Sequence, residues 1–309
     1  MGEKLFVKKI GIIGSGVVGS ATGKGFHRLG HDVLFYDIAK QRLLNLNEHG
    51  YQTTTSIQDI VDKTDISFVC VNTPNNNRGE QDLSQVMSVL FDIANALNNT
   101  NRQPHSHLIV FRSTLLPGTM RNIVMDYLQR NSSSARIGRD YDICYNPEFL
   151  RQNTAFDDFF RPDRVVIGVE DGKGASQPLK EIYQQLNENI IVTSFEAAEM
   201  IKYTSNCFLS LKISFFNEIG LICKRMGIDD KAVSLGVSMD KRIGNYGTQF
   251  GRPFEGACLP KDTEALAGFI KNLQLNPDLL QVALDINRKM EELLSSKTPY
   301  QTNKSSHSS

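Results

Sequence analysis

No sign of charge dominates this sequence. Across 309 residues, 34 Lys and Arg balance 34 Asp and Glu, a formal net charge of zero. That argues against nucleic-acid or anionic-membrane binding through bulk charge. No apolar run approaches the roughly 18 residues of a membrane span. Cysteine is scarce: Cys70, Cys144, Cys207, Cys223 and Cys258 are odd in number and form no CxxC pair. Neither a disulfide framework nor a zinc ribbon is expected, no metal site is read, and a reduced, cytoplasmic setting fits. Lys8-Lys9 before an apolar stretch faintly imitates a secretory signal. Gly11, Gly14, Gly16 and Gly19 break that stretch, which therefore reads as a strand and a turn.

What is present is ordinary for a globular chain, with 40% apolar and 22% charged residues. The length gives a prior of two domains. The first part alternates short apolar runs with helix-like segments. The runs are Lys9–Ile13, Asp32–Tyr36, 66–71, Leu108–Phe111, 141–145 and Val165–Val169. They are nearly continuous rather than alternating, as expected of parallel strands buried on both faces. An α/β fold follows, with a doubly wound sheet. Polar breaks at 98–107 and 131–140 read as surface loops.

From Phe195 the pattern changes. Phe195–Met226 has no Pro and one Gly, and Phe208, Leu211, Phe215, Ile219, Ile222 and Met226 step by three or four along one helix face. A polar stripe, Glu199, Lys202, Asn206, Ser210, Ser214 and Asn217, steps in the same way. It is either a solvated face or, because much of the helix is apolar, a buried one that needs polar partners. A further helical stretch runs from beyond Asp262 to about Ser295. The expected organisation is a dinucleotide-binding domain at 1–194, an all-helical domain built on one long helix at 195–295, and a disordered tail at 296–309.

Gly14-Ser15-Gly16-Val17-Val18-Gly19 follows the first strand and precedes a helical stretch. Gly14 permits the tight turn, Gly16 lets a pyrophosphate approach the backbone, and Gly19 lets the helix pack against the sheet. Asp37 ends the next strand. A carboxylate there accepts from ribose hydroxyls and repels a 2′-phosphate, which favours NAD over NADP.

Cys258 lies in Gly256-Ala257-Cys258-Leu259-Pro260-Lys261-Asp262. The other four cysteines read as small buried hydrophobes. Around Cys258, a neighbouring cation would raise the thiolate fraction, although a structural thiol remains an equal reading on local context alone. This segment resembles the catalytic-cysteine motif of the UDP-glucose/GDP-mannose dehydrogenase family. Further segments are similar to that family in the same order: Val71-Asn72-Thr73-Pro74, Ser113-Thr114-Leu115-Leu116-Pro117-Gly118-Thr119, Asn146-Pro147-Glu148-Phe149-Leu150-Arg151, Lys202 with Asn206, and Arg242-Ile243-Gly244. The similarity covers about residues 8–290.

The resemblance implies a Rossmann-like first domain, NAD as cofactor, and oxidation of the C6 alcohol of a nucleotide sugar to a carboxylate. UDP-glucose is the leading substrate. In such enzymes an aldehyde forms first, the cysteine adds to it, a second oxidation gives a thioester, and water releases the acid. By resemblance Cys258 is the nucleophile, and Lys202 and Asn206, spaced i, i+4, stabilise the oxyanion. Asp262 and Thr114 hold a proton or position water, and Glu148 assists as base or orienter. Gly14, Gly16, Val17, Val18, Gly19, Asp37, Thr73, Pro74, Thr114 and Lys261 are the expected cofactor residues. Glu148, Phe149, Leu150, Arg151, Lys202, Asn206, Arg242 and Gly256 are the expected substrate residues. Arg242 resembles an arginine that reaches the neighbouring subunit's sugar site, which implies a homodimer built on the long helix.

The sequence departs from that family in three places. Gln152 stands where a second glutamate usually lies. Glu255, beside Pro253 and Phe254, stands near a usual glycine. No counterpart of the family's second Rossmann-like domain is read after residue 290. Two alternatives follow: an NAD-binding dimeric module without independent activity, or an enzyme of the broader group acting on a small hydroxy acid. The cysteine motif disfavours the last, because simple alcohol oxidation needs no thiol.

Overall fold

The computed structural model describes residues 7–100, 107–170, 175–186 and 189–296. Within them the chain divides into two compact units, Met1–Pro74 with Gln81–Lys202, and Asn75–Glu80 with Tyr203–Ser309.

The first unit is built on an eight-stranded sheet. Its strands are β1 (Lys9–Ile13), β2 (Asp32–Tyr36), β3 (Gln52–Thr54), β4 (Ile66–Val69), β5 (Leu108–Phe111), β6 (Asp142–Tyr145), β7 (Val165–Val169) and β8 (Ile190–Ser194), in the spatial order β3-β2-β1-β4-β5-β6-β7-β8. All neighbours run parallel except β6 and β7, which pair antiparallel. The doubly wound reading therefore holds from β3 to β6, and the reversal at β7 is an addition. β4 ends two residues earlier than expected and β6 starts one residue later. The edge strands β3 and β8 were not anticipated.

Successive strand residues feed opposite cores. Ile13, Val69, Ile109 and Phe111 pack on one face with α3 (Ile57–Lys63) and α4 (Ser84–Asn99). Ile10, Ile12, Phe68 and Val110 pack on the other with α1 (Val17–Arg28) and α6 (Ala155–Phe160). Each such buried Ile or Phe contributes about 1.5–3 kcal/mol. Among the described residues, the remaining α-helices of this unit are α2 (Lys40–Glu48), α5 (Asp126–Asn131), preceded by a π-helical stretch Met120–Met125, and α7 (Gln177–Tyr183).

The long helix α8 spans Phe195–Met226, as its periodicity predicts. Its first two turns belong to the first unit, because Phe195 and Ala198 lie in the core of the sheet. The rest joins α9 (Asp230–Ser238), α10 (Leu259–Asn272) and α11 (Asp278–Ser295) in the second unit. The single helical stretch expected beyond Asp262 is thus two helices. Gln274 at φ 60° and Pro277 break it. Residues 101–106 of the expected 98–107 loop lie outside the described residues, as do 297–309 of the expected tail.

The polar stripe on α8 faces inward: Glu199, Lys202, Asn206, Ser210, Ser214 and Asn217 are all buried. Each has protein partners. In the second unit Ser210 Oγ accepts from Thr263 Oγ1 (2.8 Å), Ser214 Oγ donates to the Ala283 carbonyl (2.9 Å) and Asn217 Nδ2 donates to the Arg252 carbonyl (2.7 Å). Phe208, Phe215, Ile222 and Met226 are exposed instead. By length and mean hydropathy, 1.2 over 18 residues, α8 meets the composition of a membrane span even though polar residues interrupt every apolar run.

Candidate active site

The strand order reverses between β1 and β4, and in open α/β sheets ligands bind at the carboxyl ends of the strands at such a reversal. The glycine-rich turn sits there. Gly14 adopts φ 93° and lies so close to the end of β4 that a Cβ would stand 3.1 Å from the Cys70 carbonyl. A Cβ on Gly19 would strike the Gly14 carbonyl oxygen at 1.9 Å, whereas one on Gly16 would meet nothing within 4 Å. Gly16 therefore leaves an open cradle at the N-terminus of α1, a geometry that fits a pyrophosphate. Val17 is exposed and Val18 partly buried.

Asp37 is buried and fixed. Its Oδ2 accepts from the Ser15 N–H (2.7 Å) and Arg42 Nη1 (3.1 Å), and its Oδ1 accepts from the Ala39 N–H (2.8 Å). Arg42 was not anticipated. A recess of 320 Å³ beside the turn is lined by Ser15, Lys24, Arg42 and Asn45, among others. A larger one, 720 Å³, opens at the amino ends of β1, β2 and β3, around Lys9, Asp32 and Gln52, away from the glycine-rich turn.

In the first unit, Lys202 Nζ donates to the Glu148 carbonyl (2.6 Å) and to Glu148 Oε1 (3.0 Å). Glu148 Oε2 accepts from the Leu150 N–H at 2.6 Å. Burial alone would push the Glu148 pKa up. The Lys202 charge, the Leu150 N–H and the Arg112 charge outweigh it and hold the carboxyl below its ordinary value. Arg112 and Asn146 were not assigned roles from sequence: Arg112 Nη1 donates to Asn146 Oδ1 at 2.6 Å, and Asn146 Nδ2 to the Val166 carbonyl at 2.8 Å, which locks the strand end carrying Glu148. Phe149 stacks under the Arg164 guanidinium, 3.9 Å from the ring centroid. The Thr114 carbonyl accepts from Thr73 Oγ1 (2.9 Å) and Gln81 Nε2 (2.8 Å), so two of the expected cofactor residues are joined. Pro74 is exposed.

In the second unit, Cys258 is the N-cap residue of α10 and is half-buried. One turn on, Asp262 is fully buried. Its Oδ2 accepts from Asn206 Nδ2 (2.6 Å) and its Oδ1 from Lys261 Nζ (2.5 Å). Asn75, which carried no signal beyond a run of asparagines, donates from Nδ2 to the Lys261 carbonyl at 2.7 Å. Gly256, at φ 89°, is exposed. The other cysteines behave as structural thiols: burial pushes the Cys70 and Cys207 thiols up to about 12, and the Cys144 thiol also rises.

Two expected substrate residues form ion pairs with nearby carboxylates. Arg151 pairs with Asp158, and Arg242, exposed, pairs with Asp240 two residues before it. Gln152 and Glu255 are both exposed.

The NAD-binding domain model of the UDP-glucose/GDP-mannose dehydrogenase family matches residues 8–187, and the central-domain model of that family matches 196–289. The chain belongs to the UDP-glucose/GDP-mannose dehydrogenase family. Its cofactor is NAD. A UDP-glucose 6-dehydrogenase of Haloferax volcanii is 34% identical over 303 residues, covering 90% of this chain and 69% of that protein. A GDP-mannose 6-dehydrogenase of Pseudomonas syringae is 35% identical over 301 residues, covering 90% and 68%. The structure of a UDP-glucose dehydrogenase from Pyrobaculum islandicum superposes with a TM-score of 0.84 at 32% identity, covering 96% of this chain and 73% of that one.

Proposed function

We propose that this protein is an NAD-dependent nucleotide-sugar 6-dehydrogenase that oxidises UDP-glucose to UDP-glucuronate through a cysteine thioester. The observation that carries the reading is the placement of Cys258. It is half-buried while the other four cysteines are buried, and it stands at the N-terminus of α10 one turn before the buried Asp262. The positive end of a helix favours negative charge, the setting a sulfur nucleophile uses. The choice of UDP-glucose follows the Pyrobaculum islandicum enzyme, with its TM-score of 0.84.

NAD supplies the hydride acceptor, one equivalent for each oxidation. The Gly14–Gly19 turn and Asp37 would hold its pyrophosphate and ribose, and Val17, Val18, Thr73, Pro74, Thr114 and Lys261 are the further cofactor residues that resemblance to the family assigns. The chain's own residues do the rest. Removal of a proton and a hydride from the C6 alcohol gives the aldehyde. The Cys258 sulfur adds to its carbonyl carbon, and Lys202 and Asn206 are assigned, by resemblance to the family, to stabilise the alkoxide. A second hydride loss leaves the thioester. Water then attacks, and the thiolate leaves as the acid forms.

Asp262, held by Asn206 and Lys261, takes and returns the proton on the thiol side. Glu148, kept ionised, is suited to accept a proton from water rather than donate one. Thr114 orients that water, and Phe149, Leu150, Arg151 and Gly256 border the sugar nucleotide. Arg242 leaves Asp240 for a neighbouring subunit's substrate, in a homodimer that covers the exposed face of α8. Residues 1–194 supply most of the NAD site, and 195–295 carry the nucleophile. The four buried thiols suit a reducing, cytoplasmic setting.

The test is NADH release. UDP-glucose should yield two NADH per sugar, and GDP-mannose far less. Release with GDP-mannose alone would move the substrate. One NADH per substrate would rule out the thioester route. No release with either sugar would favour an NAD-binding module without independent activity.

A further inference from the structure

Glu199 is a fully buried carboxylate on α8 to which the chemistry above gives no task. It lies one turn before Lys202. Its Oε2 accepts from the Gly118 N–H and its Oε1 from the Met120 N–H, both at 2.7 Å. Those two amides stand where the loop that starts at Thr114 enters the π-helical stretch Met120–Met125. The rest of the loop is tied to other elements. Besides the two bonds to the Thr114 carbonyl, the Leu115 N–H donates to Tyr145 OH (3.3 Å) and the Leu116 N–H to Gln81 Oε1 (3.2 Å).

We propose that Glu199 is a positioning residue, whose carboxylate pins the Thr114 loop to the turn of α8 that presents Lys202 and so keeps Thr114 and Lys202 in register during turnover. This rests on the reading that both residues serve the oxidation.

The geometry favours an ionised group. A carboxylate offers two acceptor oxygens, whereas a protonated carboxyl or an amide turns one of them into a donor facing an N–H. A buried N–H left unpaired is costly. The charged groups facing Glu199 are Glu196, one turn earlier on α8, and Arg121 on the π-helical stretch, which pair with each other at 2.5 Å. Lys202, on the next turn, pairs with Glu148. Burial pushes the Glu199 pKa up to about 7 against the two N–H groups, with Glu196 raising it further and Arg121 lowering it. The group is therefore neutral below about pH 7 and ionised above it. The pin holds by two bonds on the alkaline side and loosens on the acid side.

The test uses the full chain and two readouts. Hydrogen exchange of the segment around Gly118–Met120, corrected for intrinsic rates, is followed between about pH 6 and 8. Wild type should gain protection across that range. Glu199→Gln should show low protection throughout, Glu199→Asp should retain the pH dependence, and Glu196→Gln should keep the two-bond limit. In turnover, Glu199→Gln should lower kcat by about tenfold and should flatten the rise toward alkaline pH. Exchange in Glu199→Gln equal to wild type overturns the pin. Faster exchange with unchanged kcat overturns the positioning role. The exchange readout needs no substrate, so a wild-type chain that releases no NADH overturns the dehydrogenase reading without touching the test of the pin.

Discussion

Lys202 grips Glu148 twice, through the backbone carbonyl at 2.6 Å and through the carboxylate at 3.0 Å, with both side chains buried. Such a pair is costly to halve, because the survivor keeps a charge that water no longer solvates.

Lys202→Ala should therefore destabilise the protein by about 3–5 kcal/mol, measured by urea unfolding at neutral pH. The pH dependence has a fixed sign. The Glu148 pKa is lower folded than unfolded, so its contribution is complete above the ordinary carboxylate value and is lost as pH falls below it. Glu148→Gln should flatten that acid limb, and an unchanged limb would assign the lost stability to other carboxylates.

Asp37 should make the protein prefer NAD to NADP. Its carboxylate is buried and aligned by Ser15 and Ala39. Asp37→Ser removes the repulsion and releases Arg42, whose guanidinium then becomes available to a 2′-phosphate. The affinity gap should narrow by about tenfold or more, read by calorimetric titration of both cofactors. Equal binding in the wild type would refute this role.

Cys258→Ser should cut acid formation by roughly a thousandfold or more. Slow ester formation should leave sugar attached, visible by intact mass after incubation with NAD and UDP-glucose. Cys207→Ser should be near neutral. Cys207 is buried with a thiol raised to about 12, and its Sγ contacts the Asp262 carbonyl at 3.7 Å. Full turnover by Cys258→Ser would exclude the covalent route.

The exposed face of α8 should bring two chains together. Phe208, Phe215, Ile222 and Met226 are 61, 53, 48 and 69% exposed, and a helix face this apolar seeks a partner surface. Sedimentation should give twice the 34.6 kDa of one chain. Phe208→Glu with Phe215→Glu should yield monomers, and a wild-type monomer at micromolar concentration would contradict the dimer.

How much of this could be read from the residues depends on burial. β1, β2, β5 and β7 are largely apolar runs, and their limits coincide with the sequence pattern. β3 is three residues, Gln52–Thr54, with no apolar side chain, and β8 leaves Ile191 and Val192 exposed at the sheet edge. Neither carries the signal of a strand buried on both faces. The antiparallel step at β7 left no trace because pairing direction is set by the connection, not by the strand's own composition. On α8, periodicity located both stripes but could not say which faces inward. The polar stripe is buried because partners such as Thr263 and Arg252 arrive from far along the chain. The motifs that carry the family resemblance were legible because their spacing is local. Glu199 and Arg112 were not, because their tasks consist of contacts with residues distant in sequence.

Neither compact unit is a single stretch of chain, since Asn75–Glu80 groups with Tyr203–Ser309 while the segments on either side of it belong to the sheet. No one cut can therefore separate the units for independent expression. A fragment ending at Lys202 would carry Asn75 without the Lys261 carbonyl that accepts from it, and the complementary fragment would begin folding without that donor. Dissection would need residues 75–80 grafted onto the helical part and a short bridge between Pro74 and Gln81 in the other.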